Sequence, residues 1–344
     1  MLSEIEKTIR KYFPANWSKK QVIFFLKTIG FKIDLTAVNK GLNIPVRDFV
    51  LRGGKRLRPI LFLKSLEILG VDYKKFFNLA VAIELAHNGT LILDDIEDNG
   101  ELRRGKPSCH KKFGLDVATN TGATLYTLPL TLILNNPKLL KEKQIIRLCK
   151  IYSEEMTNVG FGQSMDIYWH NNPKVKVTDE KYLEMVRLKT GSLMRMSLRM
   201  ACAVADKSEK VEECFKKFGE SIGMAFQIRD DSLDLIAKDK RFGKSYGNDI
   251  TEGKMSLPVV FALKSASKRD KSELLEILNK HTKDAKKIKK AISIILKKDA
   301  VGKSIEYANK LVDEAWLSMK KDCRTFEKIN ELKDLTYFFV KREY

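Results

Sequence analysis

The sequence has little proline, and its glycine, serine and proline residues nowhere gather into a linker. Only 8 of the 344 residues are proline, which leaves room for long uninterrupted helices. No stretch reaches roughly eighteen consecutive apolar residues, the length expected of a membrane-spanning helix. The first residues, Met1 to Lys7, lack the apolar run of a signal peptide. We therefore expect a cytoplasmic protein.

Cysteine is also scarce, and its spacing excludes two classes of small fold. The five cysteines are Cys109, Cys149, Cys202, Cys214 and Cys323. They are odd in number, scattered and never arranged as CxxC, so neither a disulfide framework nor a zinc site is indicated. We expect reduced, mostly packed thiols.

Acidic residues are a minority: 64 lysines and arginines face 44 aspartates and glutamates, for a net charge of +20. Such an excess suits nucleic acid, an anionic membrane surface or a phosphorylated substrate. The chain has no zinc finger, RNP aromatics or G-x-x-G clamp, so we do not expect a nucleic-acid partner. Much of the excess lies in amphipathic lysine-rich stretches such as 283–298, where isoleucines at helical spacing indicate a solvated helix face.

Apolar residues recur three and four apart, as in Phe215, Phe218, Ile222 and Phe226, whereas alternation typical of strands is rare. The pattern predicts an all-α fold. Without a linker, we expect a single domain over 1–344. Within it we distinguish an N-terminal helical preface (1–45), a core that carries the motifs (46–260) and C-terminal helices (261–344).

Two aspartate clusters stand out: Asp94, Asp95 and Asp98, and Asp230, Asp231 and Asp234. Residues three and four apart share a helix face, and His87 lies seven before Asp94 on the same side. Like charges at this density repel unless a cation compensates them, and oxygen ligands suit magnesium. We expect the clusters to face each other across one pocket and bind a diphosphate. The alternative is a bare carboxylate surface.

Cations accompany both clusters. The turn Gly53-Gly54-Lys55-Arg56-Leu57-Arg58-Pro59 presents Lys55 and Arg58, and Arg103-Arg104-Gly105 follows the first cluster. Lys244 and Lys254 follow the second cluster, each beside a glycine. Guanidinium and ammonium groups are suited to phosphate. In a chain this rich in lysine, chance explains the positions of Lys244 and Lys254 about as well as a role in binding phosphate does.

These motifs, in this order, resemble the trans-isoprenyl diphosphate synthases, or polyprenyl synthetases. The resemblance runs from about Arg52 to Pro258 and includes Gly162-Gln163 with Asp166, Lys189-Thr190-Gly191, Phe226 to Asp231 with Asp234, Gly243-Lys244 and Asp249 to Lys254. The residues Asp-Ile-Glu-Asp-Asn ahead of Leu102 are most similar to the eukaryotic-type geranylgeranyl diphosphate synthases. The resemblance implies a helical bundle around a deep central pocket, and a homodimer or higher homo-oligomer.

The resemblance also implies the reaction and the roles of the residues. An allylic diphosphate (dimethylallyl, geranyl or farnesyl) ionises and is attacked by isopentenyl diphosphate, head to tail, with release of pyrophosphate. Three magnesium ions per active site are implied, held by Asp94, Asp95, Asp98, Asp230, Asp231 and Asp234. Isopentenyl diphosphate is assigned to Lys55, Arg58, His87 and Arg104, and the allylic diphosphate to Arg103, Lys189, Lys244, Lys254 and Gln163.

The catalytic residues implied are Asp94, Asp95, Asp98, Lys189, Thr190, Gln227 and Asp230. The Thr190 carbonyl and the Gln227 side chain are placed to stabilise the allylic cation. Structural alternatives remain open for three of these motifs: His87 as a satisfied helix-face histidine, Gln163 as a packing amide, and Lys189-Thr190-Gly191 as an ordinary helix irregularity.

Product length depends on the residues beneath Asp94. Thr90 lies one helical turn deeper, with Gly89 beside it, and in this family a Phe or Tyr there gives a farnesyl-sized pocket. Because Gly89 and Thr90 are small, we expect a C20 product. Tyr126 is a candidate for a deeper floor, although core packing explains it equally well.

Several alternatives remain. The product could be C15 or C25 and longer, and a class I terpene cyclase is disfavoured because Asp234 and the isopentenyl cations Lys55 and Arg58 are intact. A non-catalytic partner subunit is disfavoured because no aspartate is missing. The basic surface is also suited to peripheral contact with anionic membranes.

Overall fold

The computed structural model describes residues 1–27, 32–136, 138–172, 175–236, 247–297 and 299–340, which are almost entirely helical. The all-α prediction is therefore confirmed. The α-helices are α1 (Leu2–Tyr12), α2 (Lys19–Leu26), α3 (Leu35–Val38), α4 (Ile44–Val50), α5 (Leu57–Ile68), α6 (Phe77–Glu97), α7 (Cys109–Phe113), α8 (Leu115–Leu134), α9 (Glu142–His170), α10 (Asp179–Val186), α11 (Ser192–Val204), α12 (Glu209–Asp234), α13 (Asn248–Thr251), α14 (Leu257–Ser265), α15 (Lys268–Asn279), α16 (Ala285–Leu296), α17 (Ala300–Asp322) and α18 (Ile329–Val340).

Short irregular elements join these helices. Asn39–Asn43 and Arg187–Gly191 are π-helical, and Tyr73–Phe76 is a 3₁₀ turn. Two strands, β1 (Leu102–Arg103) and β2 (Lys106–Pro107), pair antiparallel as a small hairpin directly after α6.

Contacts divide the chain into two compact units. The N-terminal unit comprises Met1–Tyr152 and Met200–Lys207, and the C-terminal unit comprises Ser153–Arg199 and Ser208–Tyr344. The boundaries fall within α9, within α11 and between α11 and α12. The single domain over 1–344, with its preface, core and C-terminal helices, stays a prediction.

Helix α6 is the central helix of the N-terminal unit. Its sequence is apolar on nearly all sides before Asp94, which is the pattern of a buried helix. Within the described residues, the stretch Tyr73–Glu97 is long and apolar enough to cross a membrane, but 67% of its most apolar window is buried inside the fold. A core helix meets the same criteria of length and composition.

Helices α6 and α8 approach each other closely through glycines. A Cβ atom added at Gly89 would lie 2.9 Å from Leu125 Cβ, and one added at Gly122 would lie 2.7 Å from Leu93 Cδ2. Larger residues would push the helices apart, since packed cores tolerate little added volume. This contact fixes the part of α6 that runs from His87 towards the aspartates.

The C-terminal unit is built around α12, whose apolar face packs on α17 and α18. The predicted stripe of Phe215, Phe218 and Ile222 is buried, and the Phe218 ring lies 6.5 Å from that of Trp316. At one end of the helix, the sulfurs of Cys214 and Cys323 lie 2.8 Å apart. The sequence did not predict this thiol pair.

A buried ion-pair network joins α9 to α11 within the C-terminal unit. Glu155, which is 1% exposed, accepts bonds from Arg195 Nη2 at 2.6 Å and from Arg199 Nη1 at 2.7 Å. A buried carboxylate needs such partners because an uncompensated charge in the interior is strongly destabilising.

Candidate active site

A glycine-rich turn places the first cation of the site. Gly53 and Gly54 have φ angles of 86° and 133°, which favour glycine, and Arg56 is also left-handed at 47°. A Cβ atom at Gly54 would lie 3.2 Å from the Arg104 guanidinium carbon, so glycine makes room for that side chain. Helix α5 then begins at Leu57, which buries Arg58, whereas Lys55 stays exposed on the turn.

Arg58, which is buried, contacts the partly buried His87. Arg58 Nη1 lies 3.2 Å from His87 Nε2. A guanidinium can only donate, so His87 Nε2 accepts and the neutral ring carries its hydrogen on Nδ1. His87 Nδ1 and Arg58 Nε are both buried, and neither has a partner among the residues described. Buried donors of this kind call for acceptors, and diphosphate oxygens are acceptors of that kind.

The electrostatics of this cluster follow from burial and like charge. Burial, together with the charges of Arg58 and Arg104, holds the pKa of His87 well below its usual range. Burial lowers the pKa of Arg58 to about 10, and it also lowers the pKa of Arg104. Positive charge is therefore concentrated where an anion would be stabilised.

Glu84 and Asn88 lie under these cations, and the sequence interpretation missed both. Glu84 Oε1 accepts bonds from Arg56 Nη1 at 2.6 Å and from Asn88 Nδ2 at 2.9 Å. Asn88 Oδ1 in turn accepts from Arg104 Nη1 at 3.4 Å. The available signal was a lone acid within the apolar run of α6, one turn before Asn88.

The first aspartate cluster lies at the C-terminal end of α6. The Asp98 amide donates to the Asp94 carbonyl at 2.9 Å, so these residues complete the last helical turn. The hairpin brings Arg103 back to them: Arg103 Nε donates to Asp95 Oδ1 at 2.9 Å, and its Nη2 lies 3.6 Å from Asp94 Oδ2. Arg103 therefore serves as a counter-cation of the aspartates.

In the C-terminal unit, a hydrogen-bonded chain links Thr190, Gln227 and Asp231. Thr190 Oγ1 donates to Gln227 Oε1 at 2.9 Å, and Gln227 Nε2 donates to Asp231 Oδ1 at 2.7 Å. Tyr182 donates to the other carboxylate oxygen of Asp231 at 2.6 Å. Burial raises the pKa of Asp231 to about 6, whereas Asp230 beside it is exposed.

Lys189 lies in the π-helical segment Arg187–Gly191, and its Nζ bonds Asp166 Oδ2 at 2.6 Å. A Cβ atom at Gly162 would lie 2.4 Å from the Lys189 amide nitrogen, and one at Gly223 would lie 2.7 Å from Gly191 Cα. These two glycines let neighbouring helices contact the backbone of the π-helical segment directly. Segments of this type occur frequently at functional sites.

Four further predicted site residues belong to the C-terminal part of the chain, and the structure describes three of them. Asp234 Oδ2 accepts from the Asp249 amide at 3.1 Å, and Lys254 Nζ lies 2.8 Å from Glu252 Oε2. Gln163 is partly buried on α9. Lys244 lies outside the described residues.

The candidate chain-length residues lie where α6 meets α8. The Cβ position of Gly89 is 3.1 Å from Tyr126 Cδ1, so Gly89 faces α8. Close helix packing therefore explains a glycine at 89 without reference to product length. Thr90 is partly buried, and its hydroxyl donates to the His87 carbonyl at 2.7 Å.

The carboxylates suit a hard divalent cation that takes only some of its ligands from the protein and the others from water and phosphate. Within the described ranges, no group of three or more His, Cys, Asp or Glu residues could hold a metal ion alone. Magnesium is usually bound through one or two carboxylates together with water and substrate phosphates. The donors at Asp94 and Asp95, which already attract the Arg103 cation, would suit an ion whose remaining ligands came from a phosphate group and water.

The structure thus brings together Arg58, His87 and Arg104 in one unit, and Thr190, Gln227 and Asp231 in the other. That the two aspartate clusters face each other stays a prediction.

Comparison with known proteins gives a consistent result. Residues 39–295 match the family model described as polyprenyl synthetase. The chain is 37% identical over 331 residues to the short chain isoprenyl diphosphate synthase of Methanocaldococcus jannaschii, covering 94% of this chain and 97% of that protein. It is 33% identical over 308 residues to the geranylgeranyl pyrophosphate synthase of Geoglobus acetivorans, covering 89% and 92%. The crystal structure of a geranylgeranyl pyrophosphate synthetase from Pyrococcus horikoshii superposes with a TM-score of 0.81 at 29% identity, covering 99% and 96%.

The lowered pKa of His87 predicts an acid-sensitive fold. Below about pH 6.5 the unfolded chain binds a proton at His87 that the folded chain does not, so the free energy of unfolding decreases as the pH falls. This contribution amounts to at most about 1.4 kcal/mol per pH unit. Between pH 7.5 and pH 5, denaturant unfolding should show a smaller loss of unfolding free energy for His87→Gln than for the wild type. The glutamine carbonyl in this variant can still accept from Arg58. Equal losses in both proteins would contradict the prediction.

Proposed function

We propose that this chain, which belongs to the polyprenyl synthetase family, is a trans-prenyltransferase that joins an allylic diphosphate to isopentenyl diphosphate, head to tail, and releases pyrophosphate. The observation that carries the proposal is the buried cationic cluster, in which Arg58 Nε and His87 Nδ1 have no partner among the described residues. Two donors beside concentrated positive charge suit a diphosphate.

The cationic cluster binds isopentenyl diphosphate. Arg58 and Arg104 supply charge-assisted bonds, neutral His87 donates through Nδ1, and Lys55 approaches from the exposed turn. A bound diphosphate also removes the cost of leaving the two buried donors unpaired.

The aspartates bind the allylic diphosphate through divalent cations, which we assign as three magnesium ions held by Asp94, Asp95, Asp98, Asp230, Asp231 and Asp234. The ions neutralise the diphosphate and make it a better leaving group. Arg103, Lys189, Lys244, Lys254 and Gln163 supply further contacts to the same substrate. Arg103 and Lys189 are already held in place by Asp95 and Asp166.

The allylic cation is stabilised by dipoles fixed before the reaction. Thr190 Oγ1 and Asp231 each bond the amide of Gln227, which fixes the direction of its carbonyl oxygen. The backbone carbonyl of Thr190 acts beside it. Preorganised dipoles of this kind stabilise developing charge without reorganising during the step. Released pyrophosphate takes the final proton.

The product is assigned as geranylgeranyl diphosphate. The small side chains at 89 and 90 support a pocket longer than fifteen carbons, and a geranylgeranyl pyrophosphate synthase is among the relatives. Because close packing on α8 already explains a glycine at position 89, the assignment of product length depends more on Thr90 and Tyr126 than on Gly89.

Product analysis tests both the reaction and its length. The purified protein is incubated with magnesium, labelled isopentenyl diphosphate and each allylic primer in turn, and a C20 diphosphate is expected. Elongation that stops at C15 would contradict the pocket assignment, and a cyclised hydrocarbon would contradict the reaction type. Asp94→Ala or Asp230→Ala should lower turnover by at least about a hundredfold while circular dichroism shows an intact helical fold.

Gly162 allows a sharper test of the π-helical segment that carries Lys189. Gly162→Ala would force the Lys189 backbone to move, which we expect to cost about 1–3 kcal/mol of stability and at least about tenfold in kcat. Gly160→Ala on the same helix is the matched control, since no atom lies within 4 Å of its added Cβ. Turnover of the control should be unchanged. Equal activity of both variants would show that the contact with Lys189 is unimportant.

The chain is assigned as a homodimer. Helix α8 has no charged residue after Asp116, although 31% of all residues are charged, and Leu115 and Leu134 are 61% and 55% exposed. An uncharged surface helix in so charged a chain suits contact with a second copy. Sedimentation equilibrium should give twice the mass of one chain, and 39.5 kDa would contradict the assignment.

The basic surface is assigned to peripheral membrane contact. Helix α2 exposes Lys19 and Lys20 beside Phe24 and Leu26, a combination suited to anionic lipid. Co-sedimentation with phosphatidylglycerol vesicles at low salt should retain the protein, and phosphatidylcholine vesicles should not. Equal recovery in both pellets would contradict the assignment.

A further inference from the structure

Glu84 is a buried acid with no role in the reaction proposed above. It lies on α6, one turn before Asn88, and is 2% exposed. Its Oε1 atom accepts from Arg56 Nη1 at 2.6 Å and from Asn88 Nδ2 at 2.9 Å. Burying a carboxylate is costly unless it is paired and hydrogen-bonded, and here both conditions are met.

Arg56 differs from the arginines that face the proposed substrate. Its Nη1 bonds Glu84, its Nε bonds Glu6 on α1 at 2.8 Å, and its Nη2 bonds the Val50 carbonyl at 2.5 Å. With all three nitrogens engaged, Arg56 is a structural cation. It fixes Glu84 in place and joins the N-terminal helix to the network.

From Glu84 the network reaches the substrate-facing side. Asn88 Nδ2 donates to Glu84, and Asn88 Oδ1 accepts from Arg104 Nη1 at 3.4 Å. Gly54 provides the space beside the Arg104 guanidinium. The position of Arg104 is therefore set by Asn88, whose orientation is set by Glu84.

Glu84 also compensates the charge of the cluster. Burial lowers the pKa of both Arg58 and Arg104, and the negative charge of Glu84 is the main influence in the opposite direction on each. Without this carboxylate the arginines would repel one another with no anion beneath them. Repulsion of this kind in a low-dielectric interior drives side chains apart.

We propose that Glu84 is a positioning residue for isopentenyl diphosphate: its buried carboxylate holds Arg104 through Asn88, and its charge offsets the repulsion between Arg58 and Arg104, in the arrangement that receives the diphosphate. The inference rests on the proposed function and adds to it a residue that touches no substrate. A purely structural role is the alternative, in which Glu84 contributes stability alone.

Glu155 provides a matched control. It is equally buried and likewise paired with arginine: Glu155 accepts from Arg195 and Arg199, whereas Glu84 accepts from Arg56 and from the neutral amide of Asn88. It has no assigned part in binding or catalysis. Glu84→Gln and Glu155→Gln thus remove the same charge from comparable surroundings, and only the first lies beneath the isopentenyl cations.

The experiment compares steady-state kinetics of both variants with the wild type, each substrate being varied in turn. Glu84→Gln should raise KM for isopentenyl diphosphate about tenfold or more, while KM for the allylic substrate and kcat stay within about threefold. Glu155→Gln should lower the midpoint of unfolding and leave both KM values unchanged. A KM for isopentenyl diphosphate that moves no more in Glu84→Gln than in Glu155→Gln overturns the inference.

Asn88→Ala serves as a second variant in case Glu84→Gln does not fold. It leaves the Arg56–Glu84 pair intact and removes the bonds of the Asn88 side chain to Glu84 and to Arg104, so KM for isopentenyl diphosphate should rise selectively, by a smaller factor. An unchanged KM in this variant overturns the inference as well. Wild-type protein that fails to elongate any allylic primer would instead overturn the proposed function, so the two failures are distinguishable.

Discussion

The ion pair between Glu84 and Arg56 is the interaction on which the cationic half of the site depends. Four arginines and a histidine converge on this part of the N-terminal unit, and they would repel one another in a buried environment. Asp95 pairs with Arg103, and for Arg58 and Arg104 the compensating charge is that of Glu84, which is bonded at 2.6 Å to Arg56. The same arginine reaches Glu6, so the N-terminal helix supports the site although none of its own residues is assigned a role there.

Close backbone contacts set the positions of the remaining groups. Gly89 and Gly122 bring α8 against the part of α6 that carries His87 and the aspartates, and Gly162 and Gly223 bring two helices against the π-helical segment with Lys189 and Thr190. In each case the distance leaves no space for a Cβ atom. The functional side chains are therefore held by helices that cannot shift independently, which suits a reaction that depends on orientation.

Several groups assigned to substrate or metal are already paired within the protein. Asp95 bonds Arg103, Lys189 bonds Asp166, and Asp231 bonds both Tyr182 and Gln227. Under the proposed function, substrate and metal would exchange partners with groups that are charged and oriented in advance. The cluster of Arg58 and His87 is different, because two of its buried donors have no described partner, and this is why it carries the functional assignment.

The sequence alone determined the helical fold, the ends of the motif helices and the identity of the charged groups, because helical period and glycine turns are local properties. The helical turn from Asp94 to Asp98 was predictable for that reason, whereas an irregularity at Lys189-Thr190-Gly191 was only one of two interpretations that the sequence left open. Tertiary structure decided the rest. It paired Arg103 with the aspartates, placed Gly89 against α8, brought Cys214 to Cys323 across 109 residues and selected Glu84 as the buried counter-charge. Most of those contacts join residues that are far apart in the sequence and meet only in the folded interior. Sequence spacing gives no information about which distant residues will meet there.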